Sequence, residues 1–594
     1  MPTTQIRPHL FLANSFNALR DPRQVNLRYE TPWLSEYLVA NLLAPVGAGQ
    51  LSQTVSQNEY GKLFERDRFG FANETTWTSN GDWLQQSAQF GQFGNTAYAL
   101  DAYYRSEVGQ RPNADLEQIA VSATFKQQLT FSDSVFVQAT WYNAESGDVA
   151  QRYDWSAGQL GFRAKERHEP LAAVAWHHEW RPGSHTLLLV SPWHSTLKVQ
   201  APEATARYFS RDEAGQIDTF DPAALAPGTD YQSRFNAVST ELQHIVQAGA
   251  HSVIAGSRYQ IGEFDVKAAV DVSNLLGAEA GSGIIRGSAS EPALERLSLY
   301  AYDQWQIAKP LLLTFGLSYD YLRQPVNFRS APLSDGERTD DLISPKIGLT
   351  INPWRGATLR GAYARSLTGA SFDQSFRLEP AQVAGFNQAY RGLIPEALTA
   401  AICGQELETS GVGFEQRLAT GTYFTIQAEL LRSEASRDDA AFEWMFQDGG
   451  AGELAAGGLR QDLDFTERSL SASIGQLVGR DLALSARYRL AKAELNTAYP
   501  EVSAAFPAQA GGQSSVLHQL ELAARYHHPS GFFGHWESVW TCQSNHGDFA
   551  FLSGDNFWQH NFWLGWRFHQ RDAELSVGLL NVTGQEYQLH PLNY

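Results

Sequence analysis

Residues 297–322 read LSLYAYDQWQIAKPLLLTFGLSYDYL, two stretches of alternating residues that meet at Lys309-Pro310. Successive side chains of a β-strand point to opposite faces, so the alternation assigns each residue to a face. The apolar face of the first stretch contains Leu297, Leu299, Ala301, Trp305 and Ile307. The other face contains Ser298, Tyr300, Tyr302, Gln304 and Gln306. Only Asp303 interrupts the apolar face. The pattern predicts a long antiparallel hairpin with one apolar and one polar face.

The second stretch of this hairpin alternates in the same way, and aromatic residues gather near the strand ends. Its apolar positions are Leu313, Phe315, Leu317, Tyr319 and Tyr321, and its polar positions are Thr314, Gly316, Ser318 and Asp320. Strands that cross an outer membrane have an apolar outer face, a polar inner face and aromatic girdles at both interfaces. We therefore expect this hairpin to belong to a membrane-spanning β-barrel.

From about residue 230 onward, very short turns alternate with long loops. The short turns fall at Ala248-Gly249, Lys309-Pro310, 353–356, 419–421, 479–481, 529–531 and 570–572. The long loops cover roughly 263–295, 323–341, 369–404, 434–461, 496–514 and 543–555. Outer-membrane barrels have short periplasmic turns and long extracellular loops. With similar strands before residue 230, the sequence predicts an all-β fold: one large antiparallel transmembrane β-barrel of about 20–22 strands.

Composition and motifs exclude several classes of protein. A net charge of −19 in 594 residues argues against binding to nucleic acid. The two cysteines, Cys403 and Cys542, are too few for a disulfide scaffold. We find no catalytic constellation, no metal site and no cofactor motif, and therefore do not expect an enzyme. Residues 1–30 lack the apolar segment of a secretory signal, so the signal peptide is predicted to be absent from this chain.

Three segments, the first of them within the opening stretch, carry a resemblance to a known family. They are SLYAYDQWQIAKPLLLTFGLSYDY (298–321), LISPKIGLTINPWRGATLRGAYARS (342–366) and AELSVGLLNVTGQEYQLHPLNY (573–594). In this order they resemble the barrel of TonB-dependent outer-membrane receptors. The second segment follows an S-P-x-x-G-L pattern at Ser344, Pro345, Gly348 and Leu349. The third resembles the penultimate strand of that family, with Asn581 before a loop that contains Tyr587.

The resemblance implies a receptor-like barrel in the outer membrane of a Gram-negative bacterium that takes up a solute. It implies contact with membrane lipid and lipopolysaccharide, and a small solute of the siderophore, sugar or corrinoid class. It also divides the chain into residues 70–594, a barrel expected to lack its closing strand, and residues 1–69. The latter are expected to be a linker or the first barrel strand and to be too short for the family's plug. Engagement of the TonB system is expected only if a plug is supplied elsewhere.

The candidate ligand site lies in the long loops, where aromatic residues stand beside charged ones. Aromatic faces and charged groups together suit stacking and hydrogen bonding to a chelate, a sugar or a corrinoid. The candidate ligand-binding residues are Phe372, Phe376, Arg377, Trp444, Phe549 and Phe551.

Two other functions remain open at this point. One is a passive porin or an export pore, such as the barrel part of a repeat-containing envelope protein. The other is a soluble β-rich binding or carbohydrate-active protein, because its composition would be similar.

Overall fold

The structure is a computed structural model and is nearly all-β. It describes residues 33–46, 51–52, 68–109, 112–148, 160–201, 206–225, 228–271, 284–286, 293–328, 331–334, 336–370, 376–388, 403–446, 452–506, 509–547, 554–568 and 573–587. Helix α1 (Trp33–Leu43) precedes the strands. The first thirteen strands are β1 (Arg68–Trp77), β2 (Trp83–Phe93), β3 (Thr96–Glu107), β4 (Leu116–Gln128), β5 (Asp133–Ser146), β6 (Arg163–Arg181), β7 (Ser184–Ala201), β8 (Ala206–Arg211), β9 (Ile217–Leu225), β10 (Gly228–Ala248), β11 (His251–Asp271), β12 (Ile284–Arg286) and β13 (Ala293–Ala308). The others are β14 (Leu311–Pro325), β15 (Glu337–Ile351), β16 (Ala357–Leu367), β17 (Gln382–Val383), β18 (Phe386–Asn387), β19 (Glu406–Arg417), β20 (Thr422–Phe446), β21 (Gly452–Val478), β22 (Leu482–Ala498), β23 (Ala510–His527), β24 (Phe532–Gly547), β25 (Asn556–Phe568) and β26 (Ala573–Leu579).

Within these described residues, one sheet contains 24 strands, and β17 and β18 form a separate hairpin. Twenty-one of the 24 strands form an antiparallel meander in which each pairs with the next; β8, β9 and β12 lie in the long connections. This number agrees with the predicted 20–22 strands. The pairing begins at β1 and ends at β26, and no pairing joins these two strands in the described part of the chain. The expected absence of a closing strand stays a prediction.

The hairpin of β13 and β14, which contains residues 297–322, has the predicted apolar and polar faces. In the register of β13 and β14, Ala301 lies opposite Leu317 and Tyr302 lies opposite Gly316. Leu317 is 54% exposed on the outer face, whereas Tyr302 is buried on the inner one. Alternation of exposed apolar and buried polar side chains is what a lipid-facing wall around a polar lumen requires. Asp303, which interrupts the apolar face, is paired with His251 of β11 at 2.8 Å between Oδ2 and Nδ1.

Within the described residues, short turns and long connections alternate as predicted, with one correction; the turn predicted at 570–572 lies outside the described residues. The loop predicted at 434–461 is wrong, because β20 continues to Phe446 and β21 begins at Gly452. These strands have 25 and 27 residues, whereas about 9–11 suffice to cross the bilayer. The parts beyond the bilayer have no lipid to face and therefore lose the alternation on which the prediction depends.

The sheet curls into a barrel, as contacts between distant strands show. The connection between β7 and β10 forms the hairpin β8–β9, and β8 pairs in parallel with β20 at Arg207–Ser210 and Ala441–Trp444. Six strands of the meander separate β10 from β20, so the connection crosses the mouth of the barrel. We call residues 206–225 the strap. In the part of the chain that the structure describes, no helix is long and apolar enough to span a bilayer.

Candidate functional site

The inner wall of the barrel is polar and largely buried. On β10, β11, β13, β14 and β15 many inward positions carry charged, amide and hydroxyl groups, and these alternate with stretches of buried apolar residues such as Phe235 and Phe264. The polar positions include Glu241, Gln243, Arg258, Arg296, Ser298, Tyr300, Tyr302, Ser318, Asp320, Ser344 and Lys346, all of them buried. Buried polar groups need partners, because an unpaired one costs free energy. Other segments of this chain must therefore fill the lumen beside them.

Residues 376–388 fill one side of the lumen, and we call them the inner loop. They belong to the long connection between β16 and β19 and contain the hairpin β17–β18. Phe376, Leu378, Val383 and Phe386 of this loop are all buried. The loop is thus folded into the barrel rather than exposed above it.

Glu241 on β10 binds the backbone of the inner loop. Its carboxylate accepts the N–H groups of Leu378 and Glu379, both at 2.9 Å. Tyr300 donates its hydroxyl to the same carboxylate at 2.7 Å. The neighbouring Gln243 donates its amide to the carbonyl of Leu378 at 2.7 Å. The barrel wall therefore binds both the donors and an acceptor of this loop segment.

Glu379 of the inner loop is the centre of a second set of charged contacts. It forms an ion pair with Arg377 and lies 3.7 Å from Nζ of Lys346. The Tyr302 hydroxyl donates to its Oε1 at 2.6 Å. Burial alone would raise the pKa of Glu379, but Arg377, Lys346 and the Tyr302 hydrogen bond overcome it and lower that pKa to about 2. Burial lowers the pKa of Arg377, but its carboxylate neighbours reverse this effect and raise it above the usual value.

Glycines on the wall make room for the tip of the inner loop. A Cβ at Gly348 would lie 2.5 Å from Cγ1 of Val383, and one at Gly411 would overlap the ring of Phe386. Gly385, between Val383 and Phe386, has a φ of +81°, a conformation that suits glycine. Gly348 belongs to the S-P-x-x-G-L segment, so part of that motif serves close packing of the loop.

A second segment, α1, occupies the lumen beside β4, β5 and β6. Leu38 and Leu42 of α1 are buried against inward residues of the barrel wall. Nζ of Lys126, an inward residue of β4, donates to the carbonyls of Asn41, Leu42 and Ala44 at the end of the helix. A lysine in this position satisfies carbonyls that the helix itself leaves unpaired. The barrel wall therefore holds the C-terminal end of α1.

The strap covers the mouth of the barrel on the side of the long connections. Phe209 and Phe220 of the strap pack in an apolar cluster with Leu459 and Tyr499. Arg207 of the strap forms an ion pair with Asp439 of β20 at 2.8 Å. Burial raises the pKa of Tyr499 to about 12, although Arg207 opposes this effect. The strap is thus fastened both by apolar contacts and by an ion pair.

The predicted ligand residues are only partly brought together. Phe376 and Arg377 lie in the inner loop and are buried. Trp444 lies on β20 rather than in a loop, close to the strap, where its partner in the register is Ser210. Phe372, Phe549 and Phe551 lie outside the described residues. Binding of a ligand by any of the six stays a prediction.

Sequence reasoning did not identify Glu241, Lys346 and Glu379 as one site. Glu241 and Lys346 have a recognisable signal, because each is a charged residue at an inward position of a strand. Glu379 has no such signal, because its loop has no strand period. In the described part of the chain, no group of three or more histidines, cysteines and carboxylates is placed to hold a metal ion.

Together, the apolar outer face, the polar filled lumen and the alternation of short turns with long connections define a barrel of the outer-membrane type. Residues 172–399 match the family model described as TonB dependent receptor-like, beta-barrel. The matched segment includes the inner loop and, of the wall strands that contact it, β10, β11, β13, β15 and β16. Residues 172–399 thus form part of a TonB-dependent receptor-like β-barrel.

Solved structures of similar fold are transporters. The copper transporter OprC has a TM-score of 0.57 at 10% identity, over 89% of this chain and 78% of that one. The ferric citrate transporter FecA in its unliganded form has a TM-score of 0.57 at 12% identity, over 87% and 74%. The FrpB iron transporter from Neisseria meningitidis has a TM-score of 0.57 at 9% identity, over 91% and 80%. No curated protein matches the chain.

Proposed function

We propose that this barrel lies in the outer membrane of a Gram-negative bacterium and takes up a small solute. The observation that carries the proposal is a transmembrane barrel whose polar lumen is filled by the chain's own segments and whose mouth is crossed by a strap. Such a barrel provides a polar wall for a polar solute, and its described inner segments obstruct the lumen. Uptake then requires that the inner segments move.

The solute class follows from the similar folds and from the chemistry of the lumen. The three similar proteins named above are transporters of copper, iron and ferric citrate, so we propose a metal ion or a metal chelate as the first class to test. The lumen offers both signs of charge, from Arg296 and Lys346 to Asp320 and Glu241. Mixed charges and tyrosine hydroxyls suit a polar chelate with carboxylate or hydroxyl groups. The uptake measurement should compare siderophores, sugars and corrinoids as candidate solutes.

A passive porin is less well supported, because inward side chains at mid-height of β10, β13 and β15 are buried. Glu241 is 0% exposed, whereas a residue that lines an open aqueous channel would face water. The porin interpretation would need this side of the lumen to be empty.

The test is expression of the full chain, with a secretion signal added, in a Gram-negative strain that lacks its own metal-chelate receptors. We expect the protein in the outer-membrane fraction, with a heat-dependent shift on gels. When a receptor plug domain is expressed together with the chain, we also expect accumulation of at least one radiolabelled ferric chelate, copper, a sugar or a corrinoid, and loss of that accumulation in a matched strain without TonB. Outer-membrane protein without uptake of any of these would overturn the proposal. Equal uptake in both strains would favour a passive pore.

A further inference from the structure

We propose that the inner loop, residues 376–388, is a built-in plug that closes one half of the barrel lumen. This proposal goes beyond the proposed uptake function, because it concerns what closes the barrel and not what passes through it. Three independent observations carry it: the carboxylates that anchor the loop, the glycines that accommodate its tip, and the depth to which it enters.

The first observation is that the wall is built around the loop. Glu241 is completely buried in the barrel wall, where an ionised carboxylate without partners would be costly. Two of its hydrogen bonds come from loop N–H groups and one from Tyr300. Arg258 also lies 3.9 Å from the Glu241 carboxylate, and it donates to the carbonyl of Phe376 at 3.4 Å. Withdrawal of the loop would remove two of the three hydrogen bonds that make this buried charge tolerable.

The second observation is steric. Glycine inside a strand lowers its stability and often marks a close approach of another backbone. Gly348 and Gly411 face the lumen on β15 and β19, and in both cases the space that a Cβ would fill is occupied by a side chain of the loop. Arg360 of β16 lies over the ring of Phe386, with 5.8 Å from Cζ to the ring centroid. Three strands thus contact the tip of this one loop.

The third observation is depth. The loop leaves the barrel wall at the end of β16 that faces the long connections. Its first described residues contact Glu241 and Arg258, near the middle of β10 and β11. Its tip contacts Gly348, three residues before β15 ends at Ile351 beside a short turn. The loop therefore runs through much of the lumen and obstructs it from β10 to β19, while α1 lies on the side of β5 and β6.

The experiment measures the conductance of the full chain in planar bilayers. We expect a small conductance for the unchanged chain. Gly348→Ala places a methyl group against Val383 and should raise the conductance several-fold by displacing the tip. Adding Val383→Ala removes the overlapping Cγ1 and should restore the small conductance.

Gly361→Ala is the matched control, because it also lies inside a strand but its Cβ would meet nothing nearer than a carbonyl at 3.8 Å. We expect no change for this variant. An effect of Gly361→Ala equal to that of Gly348→Ala would overturn the proposal, and so would a large conductance of the unchanged chain.

A second variant replaces residues 376–388 by a flexible Gly-Ser segment of equal length. A heat-dependent shift on gels verifies that this barrel is folded, and we then expect a large steady conductance. A folded variant with the conductance of the unchanged chain would overturn the proposal. If it does not fold, the Gly348 and Val383 series decides. Failure of the uptake function is separate, because it appears as absent accumulation whatever the conductance.

Discussion

Charged side chains in this barrel fall into two groups with different energetics. Exposed pairs such as Arg163 with Asp115 lie on the outer surface beyond the apolar band and make a single contact each. Pairs of this kind contribute about 0–1 kcal/mol. Glu241 and Glu379 are instead buried in the lumen and have several partners each. Removing one member of such a buried set leaves other charges without compensation, which is far more costly.

Glu379→Gln should therefore destabilise the barrel strongly. The substitution keeps the size of the side chain but leaves Arg377 and Lys346 buried without their shared carboxylate. We expect a loss of about 3–5 kcal/mol in the free energy of unfolding, measured by urea titration in detergent. Glu494→Gln is the control: its carboxylate pairs with Arg468 and Lys492 at partly exposed positions, so the substitution should cost about 1 kcal/mol or less. Equal losses of stability for the two variants would contradict the conclusion that Glu379 belongs to a buried set of mutually compensating charges.

Closure by the inner loop should be insensitive to pH over the physiological range and should fail only in strong acid. The folded-state pKa of Glu379 is about 2, below its usual 4.5, so the charged form stabilises the closed state. That stabilisation is complete above pH 4.5 and is lost as the pH falls towards 2. The charged groups that face this carboxylate are Arg377 and Lys346, with Arg296 further away.

Bilayer conductance measured from pH 7 downward tests this expectation. It should stay small to about pH 4.5 and rise below it. The Glu379→Gln variant, once shown to be folded, should not have this acid transition. Opening between pH 5 and 7 would show that another group controls the loop.

At the scale of elements, α1 and the inner loop differ in how they are anchored. The inner loop is held through its backbone along several residues, whereas the end of α1 is held by Lys126 together with packing of Leu38 and Leu42. A helix end depends on external donors, because its last carbonyls have no partner within the helix. The contact with Lys126 is therefore the vulnerable point of this segment.

Lys126→Met should release α1 from the wall. Methionine retains most of the apolar length of the side chain but donates no hydrogen bond to Asn41, Leu42 or Ala44. We expect faster cleavage of residues 33–46 by a protease added to the purified protein, followed by mass spectrometry. Lys198→Met, at an exposed outward position of β7, is the matched control and should leave cleavage unchanged. Unchanged cleavage of the Lys126 variant would show that packing alone holds the helix.

At the scale of the whole molecule, the outer surface between the two ends of the barrel must be in lipid. Apolar side chains such as Leu299, Leu317 and Ile347 are exposed on neighbouring strands, which would be unfavourable in water over so large an area. The surface is therefore explained only by a bilayer around it.

Leu317→Arg tests that placement. Arginine facing lipid near the bilayer midplane costs about 2–4 kcal/mol, and near the interface about 0–1. We expect Leu317→Arg to destabilise the folded barrel in lipid vesicles by about 2–4 kcal/mol. The same substitution at Leu418, which lies beside the short turn between β19 and β20, should have the smaller effect. Equal and small effects would remove the membrane assignment.

The sequence predicted the strands and failed where their period ends. Residues 297–322 follow the two-residue alternation except at Asp303 and at the register shift between Gln306 and Ala308, so the hairpin β13–β14 and both of its faces follow from the sequence. The C-terminal half of β20 and the N-terminal half of β21 lie outside the apolar band. Their outward side chains do not face lipid and need not be apolar, so the sequence of these Gly- and Ala-rich strands resembles that of a loop. Phe376 and Arg377 were selected for their chemistry, yet their burial inside the barrel had no signal in the sequence.

The sequence by itself determined a membrane barrel, because the alternation of apolar and polar residues is local and each strand carries it separately. Only the tertiary structure decided what fills that barrel. Glu241 meets the backbone of Glu379, 138 residues further along the chain, because the sheet curls until distant strands face a common lumen. No local period records such a contact, so the inner loop, α1 and the strap became visible only once the barrel was formed.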